Sequence, residues 1–236
     1  MSIIVTNEFT IRKYERNNDL FSIYFNCYSE PLIKSITKTK MLLGATVTDN
    51  FKTLIFKATS IKPFKQYQED VYKINGTRNM RINDVTKLIY DLSNQLKYLI
   101  THFNKAFIGY NPDDIFVIND NRFICLSNEK LSDIIDDNIL ISYPFTIDDF
   151  FLSPELENVK KIPSFINYKS CYFSLTCLII YSLTGNKEFY FNDENISTTQ
   201  KINNCIDLLP ISGSKIFWLL KRCLTEDIEK RSILFL

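Results

Sequence analysis

The side chains that could do chemistry in this chain are few, and their spacing narrows what that chemistry is. Asp113 and Asp114 stand side by side. Adjacent carboxylates can offer hard oxygen ligands to a divalent cation, and the same pair also serves turns and caps. There is one histidine, His102, which argues against a Ser-His-Asp triad and against any metal site built from several imidazoles. At the end of an apolar-periodic stretch it reads as a capping or half-buried residue rather than a general base. The six cysteines, Cys27, Cys125, Cys171, Cys177, Cys205 and Cys223, contain no CxxC pair. Their spacing suits neither zinc nor a secreted disulfide framework, so they read as buried free thiols in a reducing compartment. From 133 to 149, Asp133, Asp136, Asp137, Asp148 and Asp149 lie among aromatic and isoleucine residues. They read either as an acidic docking surface for a basic partner or as solvated loop carboxylates.

The elements that must position these groups follow from composition and period. At 236 residues with 45% hydrophobic and 23% charged residues, the chain can bury a sizeable core without staples. A net charge of +1 gives no reason to invoke nucleic acid or an anionic membrane. The start, MSIIVTNEFTIRKYERNN, lacks the order of a signal peptide. The longest apolar run, near Cys171–Leu183, is interrupted by Ser and Thr and is too short to span a membrane. A cytoplasmic protein is expected. Five β-rich segments come first: FTIRKYER, LFSIYFNCY, PLIKSIT, MLLGATV and KTLIFKA, the last two separated by Thr48-Asp49-Asn50, a hairpin signal. The period then changes. Val85, Leu88, Ile89, Leu92, Leu96, Leu99 and Ile100 recur at three and four, giving a helix over Asn83–His102 capped by Asn83-Asp84. Strands IFVIN and RFICLS flank Asp120-Asn121, and helices are expected at Tyr172–Leu183, ending at Gly185, near Thr198–Leu208 and near Gly213–Leu224. A β-rich front and an α-rich back make an α+β, two-lobed architecture, divided into residues 1–62 and 63–236.

The block YDLSNQLKYLITHFNKAFIGYNPDDIFVINDNRFICLSNE resembles the core of a eukaryotic-type protein kinase. A helix ends in Leu96-Lys97-Tyr98-Leu99, a loop follows, then Asn111-Pro112-Asp113-Asp114-Ile115-Phe116-Val117 and a hairpin strand. Leu152-Ser153-Pro154-Glu155-Leu156 is similar to the family's Ala-Pro-Glu segment, Lys169–Gly185 to its large-lobe core helix, and Cys223–Ser232 to its last arginine region. The resemblance is clearest from about 85 to 235.

That resemblance implies a phosphoryl-transfer scaffold, yet the groups such transfer needs are replaced. Aligning Pro112 with the loop proline puts Gly109 at the catalytic-base position and Asn111 at the lysine two positions on. Asp114 falls at the first metal position and Ser127 at the second, where a neutral hydroxyl is a poor anchor for magnesium; Glu129 stands two residues away as a substitute. No GxGxxG occurs at Glu15–Asp19, the turn read as the first hairpin. Lys34, in PLIKSI, is similar to the third-strand lysine, but the next strand begins at Met41, so the regulatory helix and its glutamate are expected to be missing. Cys171 and Thr176 stand where the core helix usually has Asp and Gly. Glu155 and Arg231 match the family's buried structural pair, which the chain keeps.

The expected function is therefore a catalytically inactive kinase-like protein, a pseudokinase, acting as a scaffold, decoy or regulator. Its partner would be a protein, such as an active kinase or its substrate, with no cofactor, nucleic acid or membrane involved. The Ile-, Asn- and Lys-rich wording suits an AT-rich genome such as that of a large DNA virus, which would place the protein in host cytoplasm. Two other classes stay open: an atypical ATP-dependent transferase using Asp114, Glu129 and Lys34, and a structural component of a larger assembly.

Overall fold

The computed structural model describes residues 3–14, 19–145, 151–190 and 197–234. It is mixed α+β, with β-sheet concentrated in the first half and helices later. The first sheet holds β1 (Ile3–Val5), β2 (Phe9–Lys13), β3 (Leu20–Phe25), β4 (Leu43–Thr48) and β5 (Thr53–Lys57) in the antiparallel order β1-β2-β3-β5-β4. Alternation fixes which face is buried. Phe9, Ile11, Phe21, Ile23, Phe25, Leu54 and Phe56 all point into the core.

Two expectations for this region are corrected. PLIKSIT is not a strand: Glu30–Lys38 forms helix α1, between β3 and β4. A helix therefore stands between β3 and β4 where the sequence reading left no room for one, and Lys34 sits on it rather than on a strand. Local and tertiary terms agree here. Pro31 occupies the first turn, Glu30 lies at the positive end of the helix dipole and Lys38 at the negative end. Leu32, Ile33 and Ile36, spaced for one helical face, are fully buried. That burial overrides the β-propensity of two isoleucines. The fifth strand is instead Ile3–Val5, which pairs with β2. The turn expected at Glu15–Asp19 lies, through residue 18, outside the described residues.

A short strand β6 (Ile61–Pro63) leads into α2 (Phe64–Asn75) and then α3 (Ile82–Phe103). The cap of α3 is not Asn83-Asp84. Arg81 is the capping residue, and Asp84 lies in the first turn, where it pairs with Lys87. After α3 come β7 (Lys105–Phe107), β8 (Ile115–Ile118), β9 (Arg122–Cys125), β10 (Leu131–Ile135), β11 (Asn138–Ile141) and β12 (Ser164–Asn167). They form one sheet ordered β6-β8-β9 and another ordered β12-β11-β10-β7. Asn119 and Asp120 in one hairpin, and Asp136 and Asp137 in the next, take positive φ. Two successive left-handed residues are the twist-matched hairpin turn, and Asn and Asp tolerate it best after Gly. Asp136 and Asp137 are thereby explained as turn residues.

Helices α4 (Pro154–Glu157), α5 (Ser170–Thr184), α6 (Thr198–Leu208) and α7 (Lys215–Cys223) complete the chain. Helix α5 is buried on every side from Ser170 to Leu183, the signature of a central core helix rather than an amphipathic surface one. It ends at Gly185 with φ 72°. Among the described residues no helix is long and apolar enough to cross a membrane. One large apolar cluster runs from Phe9 in the first sheet to Leu224 beside α7, and a smaller one gathers Ile108, Ile139, Ile141, Leu152 and Leu156.

Helix α3 is pinned to the β8–β9 hairpin by polar side chains. Gln95 is fully buried, and its amide donates to the Cys125 carbonyl at 2.9 Å and accepts from the Cys125 N–H at 3.0 Å. One turn earlier, buried Asp91 accepts from the Phe123 N–H at 2.9 Å and pairs with Arg122. Both ends of β9 are thus fixed, which sets the position of the segment that follows it.

Candidate functional site

Gly109, Asn111, Asp113, Asp114, Ser127 and Glu129 lie in two loops. One joins β7 to β8 (108–114) and the other follows β9 (126–130). In the first, buried Gly109 leads into Tyr110, whose N–H donates to the Ser174 hydroxyl of α5 at 2.7 Å. The Asn111 side chain accepts from the Asp113 N–H at 3.0 Å and caps the turn that opens β8. Asn111 therefore works as a cap. Asp113 and Asp114 diverge. Exposed Asp113 pairs with Lys65 of α2 at 2.7 Å, while Asp114 pairs with Lys130 at 2.5 Å. Burial pushes the Asp114 carboxyl up to about 6. The nearby Lys130 ammonium pulls it partly back, and Glu8 and Asp113 push it higher.

The second loop holds the feature the sequence did not signal. The carboxylate of Glu8, in the turn between β1 and β2, is gripped from three sides. The buried Ser127 hydroxyl donates to one oxygen at 2.8 Å. The N–H groups of Asn128 and Glu129 donate to the other at 2.5 and 2.9 Å. Two successive backbone N–H groups and a hydroxyl aimed at one carboxylate form an anion cradle. The ligand of that cradle is the chain's own side chain. Asn26 N–H holds the Glu8 carbonyl at 2.8 Å, which ties the same turn to β3.

This arrangement does not fit a magnesium ion. Ser127 gives its proton to Glu8, Glu129 contributes its backbone rather than its carboxylate, and an ammonium already sits on Asp114. Among the described residues no three His, Cys, Asp or Glu side chains converge to hold a metal. Lys34 is equally removed from such a role. It pairs with Glu30 along α1 and lies over the rings of Phe51 and Phe103, at 5.2 and 5.9 Å from their centroids. His102 stacks on Tyr98 with ring centroids 4.1 Å apart, and its Nδ1 lies 3.2 Å from the Tyr98 carbonyl.

Glu155 and Arg231 are brought together. Arg231 donates through both terminal nitrogens to Glu155, at 3.0 and 2.6 Å, and its Nε donates to the Thr225 carbonyl at 2.9 Å. The guanidinium also lies 5.5 Å from the Phe173 ring centroid on α5. The fork therefore joins α4, α5 and the C-terminal turn at one point. Cys171 and Thr176 are both buried in α5, and Thr176 bonds back to the Tyr172 carbonyl at 3.0 Å.

Of the acidic segment, Asp133 pairs with Lys105 at 2.6 Å, and Asp148 and Asp149 lie outside the described residues. The thiols are free. Burial pushes those of Cys125, Cys171 and Cys177 well up, but Cys27 is exposed and Cys205 half-buried, so not all six are core residues. Glu8, Lys130, Asp91 and Gln95 escaped the sequence reading. Asp91 and Gln95 had a signal, since each sits beside apolar positions of the α3 stripe where a polar residue needs a reason. Against known proteins, the chain matches no protein-family model and no curated protein.

Proposed function

We propose that this chain is a kinase-like binding protein that does not transfer phosphate, built as two lobes over 1–62 and 63–236. It would act as a scaffold, decoy or regulator through a protein partner. The observation that carries this reading is the Glu8 carboxylate seated in the cradle of Ser127, Asn128 and Glu129. In the kinase correspondence, that is where a metal and the phosphates of a nucleotide would lie. The order of elements supports the same correspondence. Three antiparallel strands, a helix and two more strands precede a long helix, a loop, a hairpin and the Glu155–Arg231 fork. With β1 counted, the turn over the phosphates falls at Thr6–Glu8 instead of at 15–19. An anionic side chain there repels the group a kinase must hold. Gly109 offers no proton acceptor, and Lys130 replaces a cation on Asp114 with an ammonium that cannot bridge phosphate oxygens.

The test is thermal unfolding with and without millimolar Mg-ATP. A nucleotide at about a hundred times its dissociation constant would add about 2.7 kcal/mol, or about 5–11 °C at roughly 2–4 °C per kcal/mol. No shift is expected. A magnesium-dependent shift that disappears in Asp114→Ala would overturn the proposal in favour of an atypical transferase.

A further inference from the structure

The outer face of α3 is the wall of three adjoining cavities. The largest, about 440 Å³, lies between α3, the start of α5 and the C-terminal segment 231–234. A second of about 380 Å³ extends it past Tyr98 and His102 to Thr39, and a third of about 340 Å³ extends it the other way to Asn121 and Arg122. Tyr90 borders all three, so they meet around its exposed ring, and together they make a grooved outer face on α3. From Thr86 to Thr101 that face runs about 22 Å at a rise of roughly 1.5 Å per residue. An extended peptide of about six or seven residues spans that length.

The chemistry of the groove is one-sided. Lys87, Lys97, Arg122, Lys169 and Arg231 line it, and the one carboxylate among its lining residues is Asp91. Asp91 is already consumed by Arg122 and the Phe123 N–H. Lys97 makes no ion pair among the described residues, and Lys169 gives its ammonium to the Glu229 carbonyl rather than to an acid. Beside these cations the groove offers Ile100, Ile233 and Leu234, with Tyr90 59% exposed and Leu234 59% exposed. In its wall the Ser93 hydroxyl is out of contact with water and has no hydrogen-bond partner.

We infer that this groove docks an acidic peptide segment of a partner protein, carrying carboxylates for Lys97 and Lys169 and an apolar side chain for the floor beside Tyr90 and Leu234. Charge complementarity selects this occupant. Lys87, Arg122 and Arg231 are already paired with Asp84, Asp91 and Glu155, which leaves Lys97 and Lys169: a basic peptide would meet these two cations and no free lining acid, and a purely apolar one would leave both ammonium groups desolvated. The inference gives the binding-module reading a location and a partner class, and it reverses the sign of the partner that the 133–149 aspartates suggest.

The experiment is fluorescence anisotropy of the full chain with two labelled synthetic decapeptides that share Leu and Phe positions, one filled with Glu and the other with Lys. The acidic peptide is expected to bind, and the basic one is not. Lys97→Glu with Lys169→Glu is expected to weaken binding at least tenfold. The same reversal at exposed Lys160 and Lys215, outside the groove, should leave it within twofold. Equal binding of both peptides, no binding of either, or equal loss in the two double variants would overturn the assignment. Circular dichroism and an unchanged melting temperature establish that the reversed variants are folded. Because no nucleotide is present, failure here leaves the inactive-cleft proposal standing, and a positive Mg-ATP shift leaves this result standing.

Discussion

The Glu155–Arg231 fork gives the sharpest quantitative test of how this fold is held. Arg231 is 2% exposed in its side chain and Glu155 is 24% exposed. Glu155→Ala would leave a buried guanidinium with one remaining acceptor, the Thr225 carbonyl. Breaking a buried pair from one side costs about 3–5 kcal/mol. For a chain of this size that corresponds to a fall in melting temperature of about 6–20 °C. Arg231→Met is expected to cost less, because the surviving carboxylate is partly exposed and can rehydrate. Glu155→Ala with Arg231→Met should recover a large part of the loss, since neither charge is then stranded. Urea or thermal unfolding of the four proteins closes a double-mutant cycle. If Glu155→Ala costs under about 1 kcal/mol, as an exposed pair would, the reasoning fails: the fork would be a surface contact.

Two further predictions rest on other parts of the molecule. Asp114 sets a pH dependence: its folded carboxyl is raised from 3.8 to about 6, so between those values the native state holds a proton the unfolded chain has released. Stability from this group is full below about 3.8, falls as pH rises to about 6, and is flat above it. The fall is on the order of 3 kcal/mol at about 1.4 kcal/mol per pKa unit, and it should disappear from denaturation curves of Asp114→Asn. Gly185 and Gly76 both have φ 72°, but a Cβ on Gly185 would lie 2.8 Å from the Arg78 Cβ, while nothing lies within 4 Å at Gly76. Gly76→Ala should cost about 1–2 kcal/mol for the left-handed backbone alone, and Gly185→Ala clearly more. Equal unfolding free energies for the two would refute the packing argument.

How far the sequence speaks depends on whether one segment carries its own instruction. Helix α3 was legible because seven apolar residues repeat at three and four, and the structure extends it by one residue at each end, Ile82–Phe103. Helix α6 has the expected bounds, Thr198–Leu208. Helix α1 was misread because its isoleucines and threonines favour strands one residue at a time, whereas Leu32, Ile33 and Ile36 act together only when a core is present to receive them. Helix α2 carries only a short stripe, Phe64, Tyr67 and Val71 at three and four, set among polar residues and easily passed over. Glu155 and Arg231 could be matched in advance because each sits in a segment of recognisable type. Glu8 could not. It lies 119 residues from Ser127, and no local pattern tells a carboxylate that it will be a ligand for a distant loop.

That distance matters for how the reading of function is argued. Had the cleft merely lost side chains, an empty scaffold would remain, open to a nucleotide bound without chemistry. Instead two positions of the proposed cleft are filled from within the chain: a carboxylate sits in the anion cradle and an ammonium on Asp114. In these two contacts Glu8 and Asp114 bring two negative charges when ionised, and Lys130 brings one positive charge. A magnesium nucleotide would have to displace Glu8 and separate Asp114 from Lys130 before gaining any contact, then find no acceptor at Gly109 for a substrate proton. Removing the Glu8 side chain would free the cradle without creating a base. On the proposed reading, binding and transfer would be blocked at separate residues, and restoring the first would not return the second.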